Sequence, residues 1–64
     1  MEKMKPGELR QFFYSTSSPE LFGKIFIVIS TRETLADILV NGVLHRNCDL
    51  VFVQRNSKAI NETG

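Results

Sequence analysis

Hydrophobic side chains come in bursts separated by short polar stretches, and the spacing inside each burst predicts a different element. Leu9, Phe12 and Phe13 stand at i, i+3 and i+4, after Pro6-Gly7 and with Glu8 in the first turn, which predicts a short helix over about residues 7–15. Ser15-Thr16-Ser17-Ser18-Pro19 ends it as a polar connector, because hydroxyl side chains compete for backbone hydrogen bonds and proline lacks the N–H that a helix needs. Lys24 to Ser30 is rich in β-branched residues and apolar at both parities, the pattern of a strand covered on both sides or wrapped in a small curled barrel. Gly23 before it offers a permissive turn position.

Thr31 to Leu44 has two readings. Ser30 and Glu33 have capping-box spacing, and Leu35, Ile38, Leu39 and Val43 form a helical stripe, which would give an α/β chain with a strand-helix-strand core. Against this, Ala36, Val40 and Leu44 spread apolar residues around such a helix, and Asn41-Gly42 in its middle costs about 1 kcal/mol. The same dipeptide between Leu39-Val40 and Val43-Leu44 is a strong hairpin signal, since both residues accept the positive φ of a type I′ turn. The hairpin is the preferred reading. Leu50-Val51-Phe52-Val53, reached through His45-Arg46-Asn47, reads as a further strand, followed by a loop over Arg55 to Lys58 within a polar tail over 55–64. The expected fold is mainly β, a single small domain over 1–64: an N-terminal helix, then a curved antiparallel sheet with its strands within about residues 23–53.

Composition narrows how such a domain is held together. The chain has 64 residues, and a domain of this size buries only about 60% of the surface it exposes when unfolded. The one cysteine, Cys48, excludes an internal disulfide, and Cys48 with His45 is too few ligands for a structural zinc site. No metal or other cofactor is expected, so another polypeptide is the favoured source of extra burial. A net charge of +1 with signs mixed along the chain gives no strong footprint for nucleic acid or anionic membrane. No apolar run approaches the roughly 20 residues of a membrane span, and Met1 to Lys5 runs into Pro6-Gly7 rather than into a signal-peptide core. The expectation is a cytoplasmic chain with a reduced thiol and no membrane contact.

Catalytic arrangements are poor. Cys48 and His45, three apart, point to opposite faces of a regular strand, and Glu33 and Asp37 face one another only if their segment is helical. The four glycines are scattered and make no phosphate loop. No enzymatic activity and no catalytic residue is expected. Leu9, Phe12, Phe13, Leu21, Ile25, Ile27, Leu35, Ile38, Leu50 and Phe52 divide between core and partner surface, and the partner-binding candidates are Leu9, Phe12, Phe13, Leu21 and Phe22.

Phe22-Gly23-Lys24, Phe26 and Val28, then Arg32-Glu33-Thr34-Leu35-Ala36-Asp37-Ile38, then Arg46-Asn47-Cys48-Asp49-Leu50-Val51-Phe52 together resemble the first sequence motif of the Sm and LSm proteins. That motif has a glycine and a basic or polar residue opening one strand and a basic-acidic pair opening the next. A small residue followed two later by Leu or Ile comes next, then an acidic or amide residue before a hydrophobic trio. The resemblance covers about Glu8 to Phe52, and the helix expected upstream fits it. The family's preferred glycine is Ala36 here, and its RNA-lining asparagine is Asp49, a carboxylate that repels phosphate where an amide donates a hydrogen bond. The second family motif has no match beyond Val53-Gln54-Arg55-Asn56, so the resemblance implies an incomplete Sm-like sheet with open edges that invite another chain.

Around Arg46 to Phe52 the chain is most similar to the LSm-type auxiliary subunits of N-terminal acetyltransferase complexes, which do not bind RNA. The resemblance then implies a non-catalytic subunit that stabilises a larger protein scaffold in a hetero-oligomer. The alternative is an RNA-binding LSm ring subunit using His45, Arg46, Asn47, Arg55 and Lys58. A third is an Alba-like nucleic-acid module, prompted by Lys58-Ala59-Ile60-Asn61 and requiring Arg32 to Leu44 to be helical.

Overall fold

A computed structural model describes residues 4–13 and 19–60. Five strands, β1 (Leu9–Phe12), β2 (Ile25–Arg32), β3 (Leu35–Val40), β4 (Val43–Asp49) and β5 (Ser57–Ala59), form one antiparallel sheet in the order β4-β3-β2-β1-β5. A 3-10 turn over Pro19–Leu21 precedes β2, and a short helix α1 (Leu50–Arg55) lies between β4 and β5. The mainly β reading holds, and Thr31 to Leu44 is extended apart from its turns, so the strand-helix-strand core is not formed. Asn41 and Gly42 are the two-residue turn between β3 and β4, with φ of 52° and 79°. These are the positive angles that match a hairpin to the right-handed twist of its strands.

Three expectations are corrected. The N-terminal helix over 7–15 is absent from its described part, where Leu9–Phe12 pairs with β2 in the register Leu9 to Ile27, Arg10 to Phe26 and Gln11 to Ile25. Leu9, Phe12 and Phe13 mimic a helical stripe because Arg10, which points inward beside Phe12, breaks the apolar alternation that would have announced a strand. Tyr14 to Ser18 and Asn61 to Gly64, with the rest of that helix, the hydroxyl connector and the end of the tail, lie outside the described residues.

The second correction is Leu50 to Val53, which is the body of α1 rather than a strand. Asp49 caps the helix, its carboxylate accepting from the backbone N–H of Val51 at 3.0 Å and of Phe52 at 3.3 Å. Leu50 and Val53, three apart, turn into the core, and an apolar run this short carries no period that separates strand from helix. The third is Ser57–Ala59, expected as loop, which pairs with β1 as an edge strand. The sheet is therefore five-stranded.

Alternation explains the core. Phe26 and Val28 of β2, Ala36, Ile38 and Val40 of β3, and Phe12 of β1 share the inner face with Met4, Leu50 and Val53. The Phe12 and Phe26 rings sit 4.6 Å apart between centroids, tilted by 34°. Each of these larger side chains contributes roughly 1.5–3 kcal/mol relative to exposure. Two register shifts curve the sheet: an extra residue in β2 between Val28 and Ser30, and one in β4 opposite Ala36 to Ile38, where Asn47 has φ of 56°. Among the described residues, no helix is long and apolar enough to cross a membrane.

Candidate interaction surface

Residues facing each other across neighbouring strands share a face, so the pairings define the outer surface. Leu9 stands opposite Ile27, Ile27 opposite Leu39, and Leu39 opposite Leu44. The four form one apolar row across β1, β2, β3 and β4, on the face away from the core. Leu9 and Leu44 are exposed, Leu44 to 49%, and Ile27 and Leu39 are half-buried. Ile25, 50% exposed opposite Gln11, and Leu35 extend the surface on either side of the row. The strand pattern of Ile25 to Ile29, apolar at both parities, predicts cover on both sides. In the structure α1 and Met4 cover the inner side, while the outer residues remain open to solvent among the described elements.

Polar groups occupy places where apolar ones are usual. Arg10 points inward, 9% exposed, and its guanidinium gathers the C-terminal end of α1. Nε donates to Ser57 Oγ at 2.9 Å, and Nη2 donates to the carbonyls of Ser57 at 2.9 Å and Gln54 at 3.3 Å. Nη1 meets the Glu8 carboxylate at 3.2 Å. The Ser57 hydroxyl donates to the Val53 carbonyl at 2.6 Å, and the Asn56 side-chain amide donates to that of Phe52 at 2.8 Å. Carbonyls that a helix end leaves unpaired are thus satisfied, and a cation stands at the negative end of the helix.

Asp37 ties the two register shifts together. Its carboxylate accepts from Ser30 Oγ at 3.0 Å, from Arg32 Nη1 at 3.2 Å and Nη2 at 3.3 Å, and from the Asn47 backbone N–H at 2.9 Å. Arg32 Nη2 also donates to Asn47 Oδ1 at 2.6 Å. Hydrogen bonding by Arg32, then by the Asn47 backbone, holds the Asp37 carboxyl well below the usual carboxylate range, and the Arg32 guanidinium is held correspondingly high. Every one of these donors belongs to a neighbouring strand, so the cluster fixes register and its carboxylate has no open side for a substrate.

The residues singled out from the sequence scatter. Phe12 is in the core and unavailable to a partner, Leu21 packs partly against the core, and Leu9, Phe13 and Phe22 are exposed. Of the RNA candidates, His45, Arg46 and Asn47 lie on β4, Lys58 lies on β5 at the other end of the strand order, and Arg55 ends α1. Asn47 is already engaged by Arg32.

His45 and Cys48 are brought to the same face, contrary to the expectation for a regular strand, because the extra residue in β4 places His45 opposite Ile38 and Cys48 opposite Ala36. The thiol nevertheless points at the backbone carbonyl of His45, at 3.7 Å. Burial, and secondarily the charge of Asp37, push the Cys48 thiol up, the opposite of what activates a nucleophile. Among the described residues no three His, Cys, Asp or Glu side chains gather as metal ligands.

Leu39 and Leu44 were missed as surface residues, although their places flanking the Asn-Gly turn, one residue beyond Val40 and Val43, were readable. An open groove of about 310 Å³ on the other face of this hairpin, lined by Leu21, Lys24, Val40, Val43 and His45 among others, had no signal in the sequence. Comparison with protein-family models, with curated proteins and with solved structures gives no match for this chain.

Proposed function

We propose that the chain is a non-catalytic, LSm-like auxiliary subunit that binds and stabilises a larger protein assembly through the outer face of its sheet. The observation that carries this reading is the row Leu9, Ile27, Leu39 and Leu44, apolar across four strands, exposed at Leu9 and Leu44 and half-buried between them. Contiguous apolar surface is costly to leave in water, and where a small domain keeps it the usual occupant is another protein. The Sm and LSm resemblance supplies the family part of the proposal. Its segments from Phe22 to Val28 and from Arg32 to Ile38 fall on β2, β3 and their approaches, as strands require. Its hydrophobic trio, Leu50-Val51-Phe52, lies in α1 and lends no support. The N-terminal acetyltransferase scaffold as partner rests on the resemblance around Arg46 to Phe52 alone. An RNA-binding role is the weaker alternative, since the basic candidates are spread over both ends of the strand order and the net charge is +1.

The test is affinity purification of the tagged chain beside Ile27→Asp and Lys58→Glu variants, with an oligouridine titration of the isolated protein at two salt concentrations. A defined polypeptide retained by wild type and Lys58→Glu but lost with Ile27→Asp is the expected result. Micromolar oligouridine binding with a steep salt dependence, insensitive to Ile27→Asp, would overturn it.

A further inference from the structure

The β4 edge shows a geometric regularity that the outer face alone does not explain. β4 has seven residues and ends the sheet, so among the described residues one side of its backbone has no ladder partner. The two-residue turn at Asn41-Gly42 closes on the pair Val40 and Val43, which exchange hydrogen bonds across the hairpin. Pairs alternate along an antiparallel ladder, so the next one, Leu39 with Leu44, is not hydrogen-bonded. The N–H and C=O of Leu44 therefore point outward, away from β3. Natural edges are blunted with Lys, Pro or a bulge. On β4 the bulge at Asn47 and the charge of Arg46 protect only the second half, and Val43-Leu44-His45 carries none of these devices, with all three residues exposed.

We infer that a second copy of this chain pairs with this edge, β4 against β4, with the two-fold axis passing through Leu44. Two Leu44 residues facing each other exchange both outward N–H and C=O groups. On either side of this pair, Val43 of one copy meets His45 of the other. This register is selected on two grounds. It joins Leu9, Ile27, Leu39 and Leu44 of one copy end to end with the same row of the other, making one apolar band across eight strands. It also keeps like charges apart, whereas a shift that centres the axis on Arg46 sets two guanidinium groups against each other. The axis lies clear of the bulge at Asn47, which a register centred on Arg46 would have to accommodate. The pairing is isologous and closes at two copies. It rests on the backbone of β4, independently of whether the outer face binds a scaffold, and Ile27→Asp leaves the edge intact.

The measurement is light scattering after size exclusion across about 5 to 500 μM protein, a range suited to an interface at the small end of the specific class. The expected mass rises from the 7.3 kDa of one chain toward twice that value. Leu44→Pro removes only the outward N–H, which β3 does not use, so it is expected to keep the circular dichroism of the sheet and to stay monomeric. If Leu44→Pro does not fold, Leu44→Lys, which sets two ammonium groups at the axis, is the variant expected to stay monomeric. In a Cys48→Ala background, Leu44→Cys is expected to give a covalent dimer under mild oxidation, because facing residues in a hydrogen-bonded pair have Cα atoms about 5.5 Å apart, within disulfide reach. A monomer at every concentration, a mass beyond two chains, or dimers unaffected by both Leu44→Pro and Leu44→Lys would overturn the inference.

Discussion

Replacing Arg10 by Met tests whether the inward guanidinium organises the junction of β1, α1 and β5. Met keeps an apolar stem of similar length, so the change removes the charge and its hydrogen bonds without leaving a large cavity. Two of those bonds are short, to Ser57 Oγ and to the Ser57 carbonyl, both 2.9 Å, and the contacts to Gln54 and Glu8 are longer at 3.3 and 3.2 Å. Exchanging a buried ion for an apolar group is often harmless when its partner goes as well. Here the partners include the main-chain carbonyl of Ser57, which no substitution at position 10 removes and from which Met withdraws the Arg10 donor. At about 1.5–3 kcal/mol for a hydrogen bond to a charged group, with the longer pair discounted, the expected loss is about 3 kcal/mol.

A domain of this length has roughly 3–10 kcal/mol in total. Its unfolding entropy is about 0.13 kcal/mol per kelvin, so Tm is expected to fall by about 20 °C. Arg10→Lys keeps the charge but reaches fewer acceptors and is expected to lose about half as much. Urea denaturation with circular dichroism measures both variants. An Arg10→Met protein within about 0.5 kcal/mol of wild type, or a Lys variant indistinguishable from it, refutes the reasoning.

Two further outcomes are expected. The Asp37 carboxyl is held low in the folded state, so its contribution to stability is complete above the unfolded value near pH 3.9 and is lost as pH falls from there toward the folded value. Melting temperature measured from pH 7 to pH 2 is expected to fall steeply below about pH 4 in wild type and less steeply in Asp37→Asn; parallel acid limbs would show that the carboxylate is not the group that matters. Asp49→Ala removes the acceptor for the Val51 and Phe52 amides and is expected to cost about 1 kcal/mol in chemical denaturation, with Asp49→Asn close to wild type. A neutral Asp49→Ala would mean that α1 does not need its cap.

The central hairpin was legible because Asn41-Gly42 imposes a turn by local sterics alone, and no tertiary contact is needed to read it. β2 was legible because Ile25 to Ile29 is β-branched at four of its five positions and aromatic at the other, a run that suits a strand. The ends of the chain were not, and for a shared reason. Arg10 and Ser57 face inward because they meet one another, a relation across 47 residues that no window of local sequence contains. With Arg10 counted as a surface residue, Leu9 and Phe12 read as a helix. With Ser57 counted as loop, the fifth strand disappears. Leu50 to Val53 failed differently: the capping role of Asp49 is open to a sequence reading, but four apolar residues in a row fit a strand as well as a helix.

The candidate surface follows from the same exchange of roles. Arg10 and Ser57 are buried polar groups, and Asp37, on the outer face, is withdrawn from solvent by four donors, while Ile25, Leu44 and Val43 stand in water. A chain under selection for monomer stability alone gains nothing from that distribution, because moving Leu44 or Ile25 to a polar residue would remove no core contact. Exposed apolar side chains on a twisted face also raise the risk of wrong pairing at an edge that lacks a Lys or Pro along Val43 to His45. Under the proposed function and the inferred edge pairing, both the apolar row and the open half of β4 are covered when the protein works. The polar groups drawn inward, Arg10 with Ser57, tie β1 to β5 and to the end of α1 behind that surface.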